Sequence, residues 1–381
     1  MDITNAAGAK ISFTDPYGSY GTPNPFPAPQ PPLSSSAIPP QAFLTFDPFS
    51  GFQDPRTYSY NLVVEQQVTP SFSTRIGYVG SHAVHQWANV ELNPFLNGVR
   101  LYDPAGCATT NSCYTQPITT ANTGGIANYN SLQVSGEQRL KYGLTLLANY
   151  TWSKAIDNLP YNQSATSIAS GVSYVYPIYV PDFRKLDRGP SDFDHRNVAT
   201  VSYVYTPPHF MEEAPAAVRY LVNGWETTGI FQFSSGDPLT ILSNQANNSQ
   251  SGQQRDRAVQ VGQPYGGDAC GASLHCKSYL NPSSFTTNPV GTYGDVVKGA
   301  FTGPQYVDWD ASLARRFTLH EQLYLQFRAE YFNLLNHTNF GDPNTTTNST
   351  FGQITSTNPQ NSATTAQYQP RIAQLSLKLV F

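Results

Sequence analysis

Two cysteine pairs are the first residues whose type and spacing suggest chemistry. Cys107 and Cys113 sit in CATTNSC, Cys270 and Cys276 in CGASLHC, with five residues between the members of each pair. Thiolates bind zinc, and His275 adds a nitrogen donor, but the spacing is not the CxxC of zinc ribbons. Both pairs lie in stretches rich in Gly, Thr, Ser and Asn, which read as loops. Two small loop-stapling disulfides are expected, and they imply an oxidising compartment. A second cluster, Asp192-Phe193-Asp194-His195-Arg196, offers carboxylates and an imidazole. On a strand, Asp192 and Asp194 share a face and His195 points the other way. Rim hydrogen bonding that fixes a loop to a strand is expected there, in preference to a metal or acid–base centre. His337 in LLNHTNFG is a lone histidine at a strand–loop junction and is read the same way. Ser34 to Ser36 have no GxSxG elbow around them, and no GxGxxG or GxxxxGK[ST] opens a helix. No catalytic, cofactor-binding or metal residue is singled out, and no enzyme activity is expected.

The elements that hold these residues are legible from composition and period. Charged residues make up 12% of the 381 residues, about half the usual share. Aromatics reach 13%, with 30 Pro and 24 Tyr. A coiled coil or helical bundle needs more Ala, Glu, Lys and Leu, and a disordered chain would be charged and poor in aromatics. The net charge of −4 gives no general pull toward nucleic acid, so no nucleic-acid partner is expected. No apolar run is long enough for a membrane-spanning helix. An all-β protein with long polar loops remains. The N-terminus, MDITNAAGAKISF, has no basic region followed by an apolar one, so no secretory signal is expected in the chain as written. Residues 1–55 are rich in Pro and Gly and read as an extended extracellular loop or linker.

From Arg56 on, alternation with period 2 keeps returning. Tyr58, Tyr60, Leu62, Val64 and Val68 share one face. Phe72, Ile76 and Tyr78 follow, then Leu132 and Val134, then Leu144, Leu146, Tyr150 and Trp152. The second half continues with Val201, Tyr203 and Tyr205, then Trp225, Phe231 and Phe233, then Val307, Trp309 and Leu313. Leu323, Leu325 and Phe327 precede a last stripe of Ala373, Leu375, Leu377, Leu379 and Phe381. The opposite face is polar and carries Glu65, Arg75, Glu137, Arg139, Asp308, Asp310, Arg328 and Glu330. Leu147, Ile230 and Val380 are apolar exceptions on it. Arg315 interrupts the apolar face near a strand end, where it could snorkel to an interface.

About nine strands of roughly ten residues result, the length a tilted strand needs to cross a bilayer. Their connections alternate in length. VTPS (68–71), LKYG (140–143) and TLHE (318–321) are short and 206–222 is medium, whereas 80–128, 154–195, 236–305 and 334–369 are long. Outer-membrane barrels show this parity, with short periplasmic turns and long extracellular loops. Aromatics gather toward strand ends, as in interfacial girdles. The expected fold is therefore an antiparallel transmembrane β-barrel over residues 56–381, apolar face to the outer-membrane lipid and the eight charged residues toward the lumen. An odd strand number cannot close a complete single-chain bacterial barrel, so the C-terminal part of a larger barrel, or a truncated product, is expected. The stripe Leu375, Leu377, Leu379, Phe381 resembles the C-terminal signal read by the outer-membrane assembly machinery.

Several segments taken together resemble the C-terminal barrel of Oar-like TonB-dependent receptors. They are YNLVVEQQVTPSFSTRIGYVGSHAVH, YNSLQVSGEQRLKYGLTLLANYTWSKAID, SDFDHRNVATVSYVY, NGWETTGIFQFSSGDPLTI and EYFNLLNHTNFGDPN followed by FGQIT. The resemblance covers residues 56–381. It implies residence in the cell outer membrane, a barrel of roughly 22 strands and a role as receptor or transporter wall lining an uptake channel. Family members also carry a plug, through which they meet the TonB system. No plug is seen in these residues, so coupling to TonB is expected only through a plug outside them. The competing expectation is a soluble secreted β-protein that binds glycans through its aromatics.

Overall fold

The computed structural model describes residues 43–46, 53–96, 99–101, 118–141, 143–160, 174–209, 212–244, 248–249, 251, 256–271, 273, 276–320, 323–357 and 370–381. Cys107, Cys113, His275 and Ser34 to Ser36 lie outside the described residues. Residues 42–101 and 117–381 form one compact unit; the other, residues 1–41 and 102–116, also lies outside them.

Nine strands follow one another in chain order across one sheet. They are β1 (Arg56–Thr69), β2 (Phe72–Glu91), β3 (Ile118–Lys141), β4 (Leu144–Asp157), β5 (Asn197–Tyr205), β6 (Trp225–Ser234), β7 (Tyr306–His320), β8 (Leu323–Phe332) and β9 (Ile372–Val380). Each pairs antiparallel with the next. Among the described residues, β1 and β9 are the edges of this path.

Register joins the alternation of single strands into continuous rows. Val64, Ile76, Val134, Tyr150, Ala199, Phe233 and Val307 stand opposite one another across seven strands. One residue along, the row reads Glu65, Arg75, Ser135, Asn149, Thr200, Gln232 and Asp308. A slip of one residue anywhere would exchange the faces, so a one-sided pattern locks the register. On the apolar face, aromatic rings lie over glycines of the neighbouring strand. A Cβ on Gly80 would sit 2.2 Å from the ring of Tyr60, its cross-strand partner, and one on Gly229 would sit 2.7 Å from Tyr203.

The strands are joined alternately by short and long connections. At one end β1 and β2, β3 and β4, and β7 and β8 are each separated by only two residues, and the connection from β5 to β6 carries a helix, Ala216–Val222. Gly143 adopts a φ of 76°, and any Cβ there would meet Thr206 O at 1.8 Å. At the other end lie the four long connections.

Three features depart from the sequence expectation. β2 and β3 run 20 and 24 residues, twice the expected length, so the long link 80–128 shrinks to 92–117. The apolar alternation fades after Tyr78 although pairing continues to Glu91 opposite Thr119. Beyond the apolar zone no medium selects one face, and the hairpin carries bulges near His85, whose φ is 58°. Second, Phe43–Phe46, inside the stretch read as a loop or linker, pairs parallel with Ile118–Ala121. Third, the long connections are more than polar loops. Pro238–Leu239 pairs with Phe301–Thr302, Val259–Gln260 with Phe285–Thr286 and Lys277–Ser278 with Gln353–Ile354. They enclose a core of Leu239, Ile241, Ala258, Leu280, Phe285, Val296, Phe301 and Phe351. A second cluster joins Ala88, Val90 and Tyr174, with Leu92, Leu159, Ile178 and Phe183 packed against it.

Candidate functional site

All eight charged residues singled out from the alternation lie on one face of the sheet. Arg75 pairs with Glu65 across β1–β2 at 3.3 Å, Arg139 with Glu137 along β3 at 2.7 Å, and Arg328 with Glu330 along β8 at 2.6 Å. These pairs are exposed, where an ion pair contributes at most about 1 kcal/mol. They tune the polarity of a surface more than they hold it together. Asp310 accepts the Asn333 amide at 2.9 Å, and Thr228 and Ser312 share a 2.6 Å hydrogen bond across β6–β7. A shallow depression of about 440 Å³ on this face is lined by Thr145, Ser202, Thr228, Asp310, Arg328 and Glu330. Leu147 and Ile230, the apolar exceptions, form a small patch within it. The arrangement presents hydrogen-bond donors and acceptors on this face.

The opposite face has the reverse character. Leu62, Val64, Trp152, Leu375, Leu377 and Leu379 are all more than half exposed. Apolar exposure on that scale marks a surface meant for an apolar partner. Phe381 stands at the end of the same stripe and is also exposed. Arg315, which interrupts the apolar face near a strand end, is covered. Its guanidinium stands 4.4 Å from the Phe317 ring and 5.3 Å from Tyr220, and it donates to the carbonyl of Leu221. The helix in 206–224 lies over it, a cover the sequence reading did not foresee.

At the long-loop end, the Asp192–Arg196 segment ties loop to strand. Asp194 accepts the Ala155 amide at 2.6 Å and Arg196 at 3.0 Å. His195 donates from Nδ1 to Ser235 O at 2.9 Å, which leaves Nε2 facing Asp237 at 3.4 Å. His337 is held by Asn333 and Asn339 in a turn where Asn333 and Asn336 both take positive φ. Asparagine tolerates that conformation better than most residues. Cys270 and Cys276 form a disulfide, with Cα atoms 5.7 Å apart.

Two buried ion pairs at the long-loop end, one within the loops and one between a loop and the end of β4, have no signal in the sequence. Arg257 pairs with Asp187, and Lys298 with Asp157, all nearly inaccessible to solvent. Asp187 also accepts the Val175 amide at 2.8 Å, and Lys298 donates to Leu159 O at 3.0 Å. Burial pushes the Asp187 carboxyl above the usual range, and the Arg257 charge beside it restrains the rise. The partners stand 70 and 141 residues apart, so no local pattern betrays them.

The family model for the outer membrane beta barrel domain matches residues 2–374. No curated protein matches the sequence. Among solved structures, the outer membrane transporter YddB from Escherichia coli is similar at 12% identity, with a TM-score of 0.39, over 88% of this chain and 33% of that one. The chain thus spans about a third of that transporter's length. Matched over nearly its whole length, the chain belongs to the outer membrane beta barrel domain family and is a protein of the outer membrane.

Proposed function

We propose that the chain supplies part of the wall of an uptake channel of the TonB-dependent, Oar-like type. The observation that carries this reading is the row from Glu65 to Asp308, polar across seven strands, backed by an apolar and exposed opposite face. On a lipid face, Arg or Lys at mid-bilayer costs about 2–4 kcal/mol, while a lumen face accepts charge. The eight charged residues then line the channel, and the apolar stripe meets lipid. A free sheet edge in lipid leaves backbone groups unpaired at several kcal/mol each. Edges β1 and β9 therefore call for further strands, and a barrel of roughly 22 would leave a lumen wide enough for a plug. Such a plug would make the contact with the TonB system. Residence in the outer membrane sets aside the soluble glycan-binding alternative, and neither catalysis nor a nucleic-acid partner belongs to this reading.

Cysteines placed at Gln232 and Gln326 in the full-length protein should react with a membrane-impermeant maleimide in isolated outer membranes. A cysteine at Phe231 should not. Equal labelling of both faces would sink the channel-wall reading. Failure of the full-length protein to crosslink to TonB in cells would argue for a passive pore instead.

A further inference from the structure

Among the described residues, the connection 206–224 is the one short-end link that carries a helix, Ala216–Val222. Ala216–Val222 reads AAVRYLV, with Arg219 as its single charge. None of its residues is buried. Leu221 is 61% exposed, Tyr220 47% and Val218 38%. A helix this apolar and this open needs a covering medium.

The side of the sheet on which it lies is fixed by its contacts. Tyr220 meets the Phe317 ring at 6.0 Å and donates its hydroxyl to Thr318 O at 2.9 Å. Trp225 donates its indole N–H to Leu221 O at 3.0 Å and stands edge-on to Phe317 and Phe327. Trp225, Arg315 and Phe327 are cross-strand partners in one row, and that row belongs to the apolar face. The helix therefore covers the outside of β6–β8, at the end of the short turns. Arg315 is left with rings around it and a helix carbonyl as acceptor, so a cation on the lipid side is closed off. Tyr and Trp, each with an apolar body and a polar tip, are the side chains that favour a membrane–water boundary.

We propose that Ala216–Val222 is an interfacial foot, lying in the headgroup region of the periplasmic phospholipid leaflet. Val218 and Leu221, three residues apart and so on one helix face, dip toward the acyl chains, and Arg219 meets lipid phosphate. The occupant is phospholipid because the foot continues the apolar stripe of an outer-membrane protein without a break: Phe327 and Leu325 lie next along β8. Glu212 and Glu213, exposed just before the helix, belong on the water side. The foot would fix the depth of the wall in the bilayer, as interfacial amphipathic helices do.

This inference rests on the lipid-facing reading of the stripe, and the experiment separates the two. An environment-sensitive fluorescent amino acid is placed singly at Leu221, Phe231 or Gln232 of the full-length protein. Each variant is refolded into phosphatidylethanolamine/phosphatidylglycerol vesicles carrying a spin label near the headgroup or at mid-chain. At Leu221, fluorescence should be lost mainly to the headgroup-proximal label, and at Phe231 mainly to the mid-chain label. Gln232 should be spared by both. Loss at Phe231 with none at Leu221 would overturn the foot and leave the wall reading standing. Loss at Leu221 mainly to the mid-chain label would place the helix too deep and overturn it as well. No loss at either position would fail the wall reading through Phe231 and the foot with it.

Discussion

Leu377 in the wall is 66% exposed, whereas Ile241 in the loop body is fully buried. The two side chains are alike in size and apolarity, and they lie in the same chain. The wall turns its aliphatic and aromatic residues outward, with period 2, because its surrounding medium is hydrocarbon. The loop body turns them inward, without period, because its medium is water. Charges follow the same contrast. In the wall, Glu137 and Arg139 pair in the open; in the loops, Asp187 and Arg257 pair where solvent does not reach. The first kind of pair is dispensable, and the second is dangerous to break. One chain thus builds one part whose partner is lipid and another that must hold itself together.

The largest expected effect is in the loop body. Arg257→Ala leaves Asp187 buried without its partner, a loss of about 3–5 kcal/mol. Amide exchange should accelerate at Ala258 and Leu280, while β4 and β5 keep their protection. The folded-state pKa of Asp187 is already raised by burial, and loss of Arg257 raises it further. For an acid raised on folding, stability falls as pH climbs from the unfolded value through the folded one. The damage should therefore grow between acidic and neutral pH. Replacing both partners, Arg257→Met with Asp187→Leu, should recover most of the loss. If the double variant were as loose as the single one, the pair would be more than a counter-charge.

Next comes the wall. Phe231→Arg should cost about 2–4 kcal/mol in bilayer-refolded protein, measured by denaturant titration, while Gln232→Arg should be tolerated. Equal damage on both faces would mean a sheet buried on both sides, and the contrast between wall and loops would collapse. Smaller again is the disulfide. Reduction of Cys270–Cys276 opens a short covalent loop, worth about 2 kcal/mol on the chain-entropy account. Protease sensitivity should rise around residues 268–278 and not in β6 or β7. A change reaching the wall would show that the two regions are coupled.

The sequence was informative where one medium imposes one period. The nine strands, the alternation of link lengths and the common face of Glu65, Arg75, Glu137, Arg139, Asp308, Asp310, Arg328 and Glu330 all follow from alternation. Where the medium changes, the signal stopped. β2 beyond Tyr78 looked like a loop because neither of its faces is selected by lipid. Phe43–Phe46 is too short to show a period, and it pairs with residues more than seventy positions away. The core of Leu239, Ile241, Leu280 and Phe301 is drawn from separate short segments, so it leaves no stripe. Ala216–Val222 spans two turns, too few for a clear helical period. The role of His195 as a rim tether was readable from its place at a strand end, but its acceptor, Ser235, comes from another connection.

The smallest effect is expected where wall and loops meet. His195, Asp237 and Asp342 converge there from three connections. His195 Nδ1 is committed to Ser235 O, so Nε2 faces the Asp237 carboxylate at 3.4 Å. Asp342 hydrogen-bonds to Asp237, and partial desolvation, then the Asp237 charge, push its carboxyl up to about 6, with His195 pulling the other way. Between the unfolded value near 3.9 and about 6, the folded state holds a proton that the unfolded chain has released. The contribution of Asp342 to stability is therefore fully present below the lower value, is lost as pH rises through the upper one, and is flat beyond it. The residue is partly open to water, so screening keeps the effect small. Asp342→Asn fixes the neutral hydrogen-bonding form at every pH. Thermal melts of protease resistance in residues 333–357 should show the native loop loosening from pH 4.5 to 7, and the Asn variant holding level across the same range. The two curves should meet at the acidic end and part toward neutrality. Parallel curves, with the Asn variant as pH-dependent as the native protein, would place the titrating group elsewhere, with Asp237 and His195 the next to replace.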